Sequence, residues 1–296
     1  MFDVDNYNIS HITDFNDLLH LPHFLIWSFP LFSTVMIVLG LAGNGFVLLT
    51  TIRYNAIDLD KASLLYLQHL AVADTLLLVF SRTPALVVLI SREWIMGETC
   101  CFITQVMSEL ACFVDDFMIL SVACHRALVL LKPFRPPSIS MTYLIIALGW
   151  VLAVLQGITL LCFGSKVYYS PYTFSCQSSP SDLLRIPLLV RWAVPLAGII
   201  LANLVILGIV FSMKPIPAVS RRKPALLVFG ICFIYLMAWV PTVFHYWCDT
   251  GVWSSQSFSA EITMIQISAR YIHLVFNPFI YTFTNRRFRN FVMNRL

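Results

Sequence analysis

The chain has 296 residues, 59% of them hydrophobic and 11% charged, with a formal net charge of +4 and a mean hydropathy of +0.81. Such proportions exclude a soluble globular domain and leave an integral membrane protein, for which no nucleic-acid partner is expected.

Apolar runs near 24–52, 62–90, 98–131, 141–163, 186–212, 224–247 and 260–284 are each long enough to cross a bilayer as a helix, which predicts seven spans. They lack the alternation of β-barrel strands. The expected fold class is an all-α membrane protein. Residues 1–23 would form an acidic extracellular tail, 24–285 a seven-transmembrane helix bundle and 286–296 a short C-terminal amphipathic helix. Residues 53–61, 132–140, 213–223 and 285–296 hold twelve of the nineteen Lys and Arg, against three in the intervening connections and the N-terminal tail. The basic set is therefore expected in the cytoplasm and the N-terminus outside. Residues 1–22 lack a basic start and an apolar core, so the first span, rather than a cleaved leader, is expected to direct insertion.

Along the N-terminal tail, Asp3, Asp5, Asp14 and Asp17 stand before any Lys or Arg. That acidity suits steering of a basic ligand, or simply a solvated terminus. Asn8-Ile9-Ser10 is a glycosylation acceptor motif. In span one, Gly40, Gly43 and Gly45 allow close helix approach, and Asn44 needs an interhelical partner, which Asp74 of span two offers.

Span three carries the longest ordered polar pattern. Cys101, Ser108 and Asp115 recur every seven residues and Arg126 follows eleven later, so all four fall within about 20–40° of one helical face. A carboxylate or guanidinium facing lipid would cost several kcal/mol, so that stripe must look inward. Cys101 and Cys176 both lie on the expected oxidising side and can be tied together, with Cys100 as competing partner. Cys112, Cys124, Cys162 and Cys232 read as small packing residues. Trp150 anchors span four, while Pro195, Pro241 and Pro278 interrupt spans five to seven. Residues 286–295 read as a basic helix on the inner leaflet.

Gly43-Asn44, Leu70-Ala71-Val72-Ala73-Asp74, Trp94 with Gly97 before Cys101, Arg126, Trp150, Pro195, Ala238-Trp239-Val240-Pro241 and Asn277-Pro278-Phe279-Ile280-Tyr281 occur in this order on seven successive spans. This set resembles the rhodopsin-like (class A) G-protein-coupled receptors over about 24–291. His273, the acidic tail and the short 213–223 connection resemble chemokine and related peptide receptors, virus-encoded members among them.

The resemblance implies an extracellular peptide or chemokine ligand, a heterotrimeric G protein with a Gi-type favoured, and residence in the plasma membrane (a host membrane if the chain is viral). A receptor dimer is a further candidate partner. It places Arg82, Glu109, Arg191, Trp239 and Arg270 around a ligand pocket, where the arginines receive an acidic group or, alternatively, Glu109 pairs with one of them. Trp239 and Tyr235 match floor-of-pocket and relay positions. Asp74 and Asp115 would face one another near His273 and Asn277; two such carboxylates need a bound sodium ion or a shared proton. No other cofactor is expected.

His125-Arg126-Ala127 stands where the family has an acid before the arginine and an aromatic after it. Loss of that restraint would raise ligand-independent activity, with Tyr281 as the other half of the switch and Asn203 in place of its tyrosine partner. No catalytic triad, metal-protease motif or phosphate loop is present, so an enzyme is not expected. The rival reading is a ligand-scavenging or partner-modulating receptor that couples to no G protein.

Overall fold

The computed structural model describes residues 23–53, 60–132, 134–162, 166–170, 174–179, 182–212, 226–239, 268–269 and 272–278. Helices α1 (His23–Arg53), α2 (Lys61–Ser91), α3 (Gly97–Leu131), α4 (Ile139–Cys162), α5 (Asp182–Ser212), α6 (Leu226–Trp239) and α7 (272–278) lie on the seven predicted spans. The fold is all-α as expected, with one short hairpin in the connection between α4 and α5, where β1 (Lys166–Ser170) pairs antiparallel with β2 (Ser175–Ser179), placing Tyr169 opposite Cys176.

Burial is inverted relative to a soluble protein. Asp74 and Asp115 are 0% exposed, whereas Trp27 is 76% and Phe211 78% exposed. Apolar side chains at the rim and charges inside are what a lipid solvent selects. Among the described residues, four helices are long and apolar enough to cross a membrane by length and composition.

At the centre stands α3, packed against α2, α4, α5 and the hairpin. Its start is a backbone requirement: Gly97 has φ +77, which side-chain-bearing residues adopt at a cost, and Trp94 Nε1 donates to the Gly97 carbonyl at 2.9 Å. Trp94 also lies 5.7 Å, ring to ring, from Tyr169 of β1. The Cys101–Cys176 disulfide ties the hairpin to this end of α3. Cys100 remains a free thiol. Of the four cysteines expected to pack within spans, Cys112 and Cys232 are buried, but Cys124 and Cys162 are exposed.

Helix α2 begins at Asp60, whose carboxylate caps it by accepting from the Ser63 N–H at 3.2 Å. It widens into a π turn at Leu78–Arg82. The cause is Pro84, which has no N–H to give the Phe80 carbonyl and crowds it. Ser108 of α3 donates its hydroxyl to that carbonyl at 3.2 Å.

Helix α1 meets α7 closely, because a Cβ on Gly43 would come within 2.8 Å of Pro278 Cγ. Asn44 does not take the partner expected of it. Its amide donates to the Leu274 carbonyl of α7 at 2.8 Å, since Pro278 cannot donate to that oxygen four residues back. Asp74 is held by Asn277 instead.

Candidate functional site

Two polar clusters sit on the inward stripe of α3. The first lies at mid-helix, where Asp74 (α2), Asp115 (α3), His273 and Asn277 (α7) are all buried. Asn277 Nδ2 donates to Asp74 Oδ2 at 2.8 Å, and His273 Nε2 lies 3.3 Å from Asp115 Oδ2. The candidate ligand atoms of Asp74, Asp115 and His273 all fall within 4.8 Å of one another. Two ionised carboxylates about that far apart repel by about 3–4 kcal/mol at an effective dielectric near 20. Positive charge or a proton is needed to hold them together.

Asp116 follows Asp115 directly on α3. It accepts from the Tyr235 hydroxyl of α6 at 2.5 Å. The Tyr235 ring packs edge-on to His273, with centroids 5.7 Å apart, and lies 5.9 Å from the Trp239 ring. Tyr235, at the expected relay position, is thus both a packing aromatic and a hydrogen-bond donor. In this way α6 joins the cluster on α3 and α7.

The second cluster lies at the far end of α3. His125, Arg126 and Ala127 are buried, and Arg126 Nη2 meets Asp60 Oδ1 at 2.5 Å. His125 Nε2 lies 2.9 Å from Asp60 Oδ2, with its ring 5.9 Å from that of Tyr66. Burial acts to raise the Asp60 carboxyl's pKa. The His125 hydrogen bond and the charges of Arg126 and His125 outweigh it and hold the group well below the usual carboxylate range. The acid missing before Arg126 in sequence is therefore supplied from the cap of α2. Asp60 was overlooked because it is 66 positions away; its one visible signal was the Asp60-x-x-Ser63 spacing of a helix cap.

Other predicted residues are placed less fully. Arg82 is buried in the π turn of α2, and Glu109 is partly buried on α3, its Oε1 3.5 Å from Gln105 Nε2. Trp239 is 3% exposed. The backbone of Arg191 lies in α5, while its side chain, Arg270, Tyr281, Asn8 and 286–296 lie outside the described residues. Asn203 turns its amide onto its own helix, donating to the Ile199 carbonyl at 2.7 Å. Trp150, read as an anchor, donates from Nε1 to His69 Nδ1 at 3.1 Å and so joins α4 to α2.

Seven spans, a disulfide from the start of the third helix to the following hairpin, a buried mid-helix carboxylate on the second and an ion-paired arginine near the end of the third define a heptahelical receptor. The family model of the 7 transmembrane receptor (rhodopsin family) matches residues 43–281, and the chain belongs to that family, the class A G-protein-coupled receptors. It is similar to C-C chemokine receptor type 1 of Homo sapiens, 24% identical with 89% of this chain and 77% of the relative covered. It is also similar to melatonin receptor type 1B-B of Danio rerio (26% identical; 79% and 73% covered) and to somatostatin receptor type 1 of Rattus norvegicus (23%; 86% and 68%). The family is one of receptors and not of enzymes, and the chain is a multi-pass membrane protein.

Proposed function

We propose that the chain is a plasma-membrane receptor, N-terminus outside, that binds a peptide or chemokine-like ligand through Arg82, Glu109, Arg191, Trp239 and Arg270. It signals to a heterotrimeric G protein of Gi type. The single observation that carries this reading is the inward-facing edge of α3, which bears polar groups at its start, its middle and near its far end. That edge runs from the Cys101–Cys176 tether, past the Asp115–His273 pair, to the Arg126–Asp60 pair. One rigid element so placed can report a displacement at one face to the other. The acidic tail, with Asn8 as its glycosylation site, supports a basic ligand.

Elevated ligand-independent activity then depends on how firmly Asp60 holds Arg126, because the neighbours His125 and Ala127 supply no acid and no aromatic. The mid-helix carboxylates support a bound cation, sodium in the simplest case, or a shared proton. Asn203, bonded to its own helix, favours the second reading, a scavenging receptor that does not couple. The reconstituted receptor with a panel of basic chemokines and peptides tests both. Ligand-stimulated nucleotide exchange supports the signalling receptor, whereas binding without exchange on any G protein supports the scavenger.

A further inference from the structure

We propose that Asp74, Asp115 and His273 form a divalent transition-metal site of the kind zinc occupies, closed by Asn277, at the centre of the bundle. The inference rests on the reading that these residues hold a cation and goes further by naming the class of ion.

Three observations carry it. First, charge: two carboxylates meet with no ion-pair partner among the described residues except His273. A monovalent ion leaves the pair one positive charge short, and a dication neutralises it. Second, donor chemistry: both Asp115 oxygens, Asp74 Oδ1, both His273 ring nitrogens and Asn277 Oδ1 are buried with no hydrogen-bond partner among the described residues. Buried orphans concentrated at one point call for something that binds them. A neutral imidazole nitrogen is a poor donor to sodium, magnesium or calcium and a preferred one for zinc and its neighbours.

Third, spacing: donors about 2.0–2.2 Å from a tetrahedral ion sit roughly 3.3–3.6 Å apart, and His273 Nε2 is 3.3 Å from Asp115 Oδ2. All three ligand atoms lie within 4.8 Å of one another, so small side-chain adjustments complete the set. The surroundings hold the ligands in place, as metal sites require. Asn277 orients Asp74 through its 2.8 Å hydrogen bond, and the Tyr235 ring sits edge-on to His273 at 5.7 Å. An ion there cross-links α2, α3 and α7. Its loss frees the helices that bear the two clusters to part.

The test uses the full chain in lipid nanodiscs, stripped with a chelator, and follows thermal unfolding in micromolar zinc or in sodium at about 0.15 M. Zinc is expected to raise Tm by about 5 °C, the rise to be reversed by chelator and to be absent in His273→Asn and Asp115→Asn. An equal zinc response in wild type and His273→Asn places the metal elsewhere and overturns the proposal. Stabilisation by sodium alone also overturns it, while leaving the cation reading intact. No response to either ion overturns both. Should His273→Asn fail to fold, cobalt(II) added to the stripped wild type decides. Intense visible bands of a low-coordinate ion support the site, and the pale spectrum of hydrated cobalt contradicts it.

Discussion

Replacing Asp60 with Asn tests the Arg126 restraint without disturbing the helix it begins. Asn caps as well as Asp, so the Ser63 N–H keeps an acceptor and α2 keeps its start. What is lost is the charge facing Arg126 at 2.5 Å and His125 at 2.9 Å. A shielded charge-assisted contact contributes about 1.5–3 kcal/mol. The Asp60 side chain is 41% exposed, so solvent screening reduces this to about 1–2 kcal/mol. Removed from the resting state alone, that energy shifts a two-state equilibrium roughly five- to thirty-fold. Basal nucleotide exchange per folded receptor should rise by such a factor in Asp60→Asn. The pH dependence has a definite sign. A carboxyl whose pKa is depressed on folding contributes stability that is fully present above its ordinary value of 3.8 and is lost only as pH falls through the depressed one. The variant-to-wild-type ratio should therefore hold level from about pH 5 to 8 as far as Asp60's own charge sets it. Basal exchange in Asp60→Asn equal to wild type, with unfolding unchanged, would refute the reasoning.

Cys176→Ser opens a loop of 75 residues, which chain entropy values at about 4 kcal/mol; a clearly lower Tm and reduced surface expression are expected. It is a cleaner variant than Cys101→Ser, beside which Cys100 is a free thiol. Tyr235→Phe removes the donor to buried Asp116 and should cost about 1–3 kcal/mol, read as a fall in Tm; Asp116→Leu in the same chain should recover much of it. Gly43→Ala forces a Cβ to within 2.8 Å of Pro278, and overpacking at the α1–α7 contact should lower Tm by the equivalent of about 1–3 kcal/mol.

The spans were legible because a bilayer demands long apolar runs, and the seven-residue recurrence on α3 placed Cys101, Asp115 and Arg126 on one buried face. The mid-helix cluster was legible only once the resemblance set spans two, three and seven side by side, since no periodicity within one helix shows what its neighbour presents. The Asp60 contact was hidden for the same reason: a cap residue and a helix-end arginine meet through packing, not spacing. Asn44 was assigned to Asp74 on polarity alone, whereas Pro278 leaves the Leu274 carbonyl open and Asn44 takes it. The β1–β2 hairpin was invisible in the connection between spans four and five, where the Cys101–Cys176 disulfide and the Trp94–Tyr169 contact hold it to the bundle without leaving a periodic signal.

The most direct test of the receptor account is nucleotide exchange by the reconstituted wild type and Arg126→Ala on a panel of heterotrimeric G proteins, with both proteins matched for folding. The account predicts exchange above empty vesicles with at least one G protein for the wild type, and its loss in Arg126→Ala. Wild type and variant both indistinguishable from empty vesicles on every G protein would contradict it.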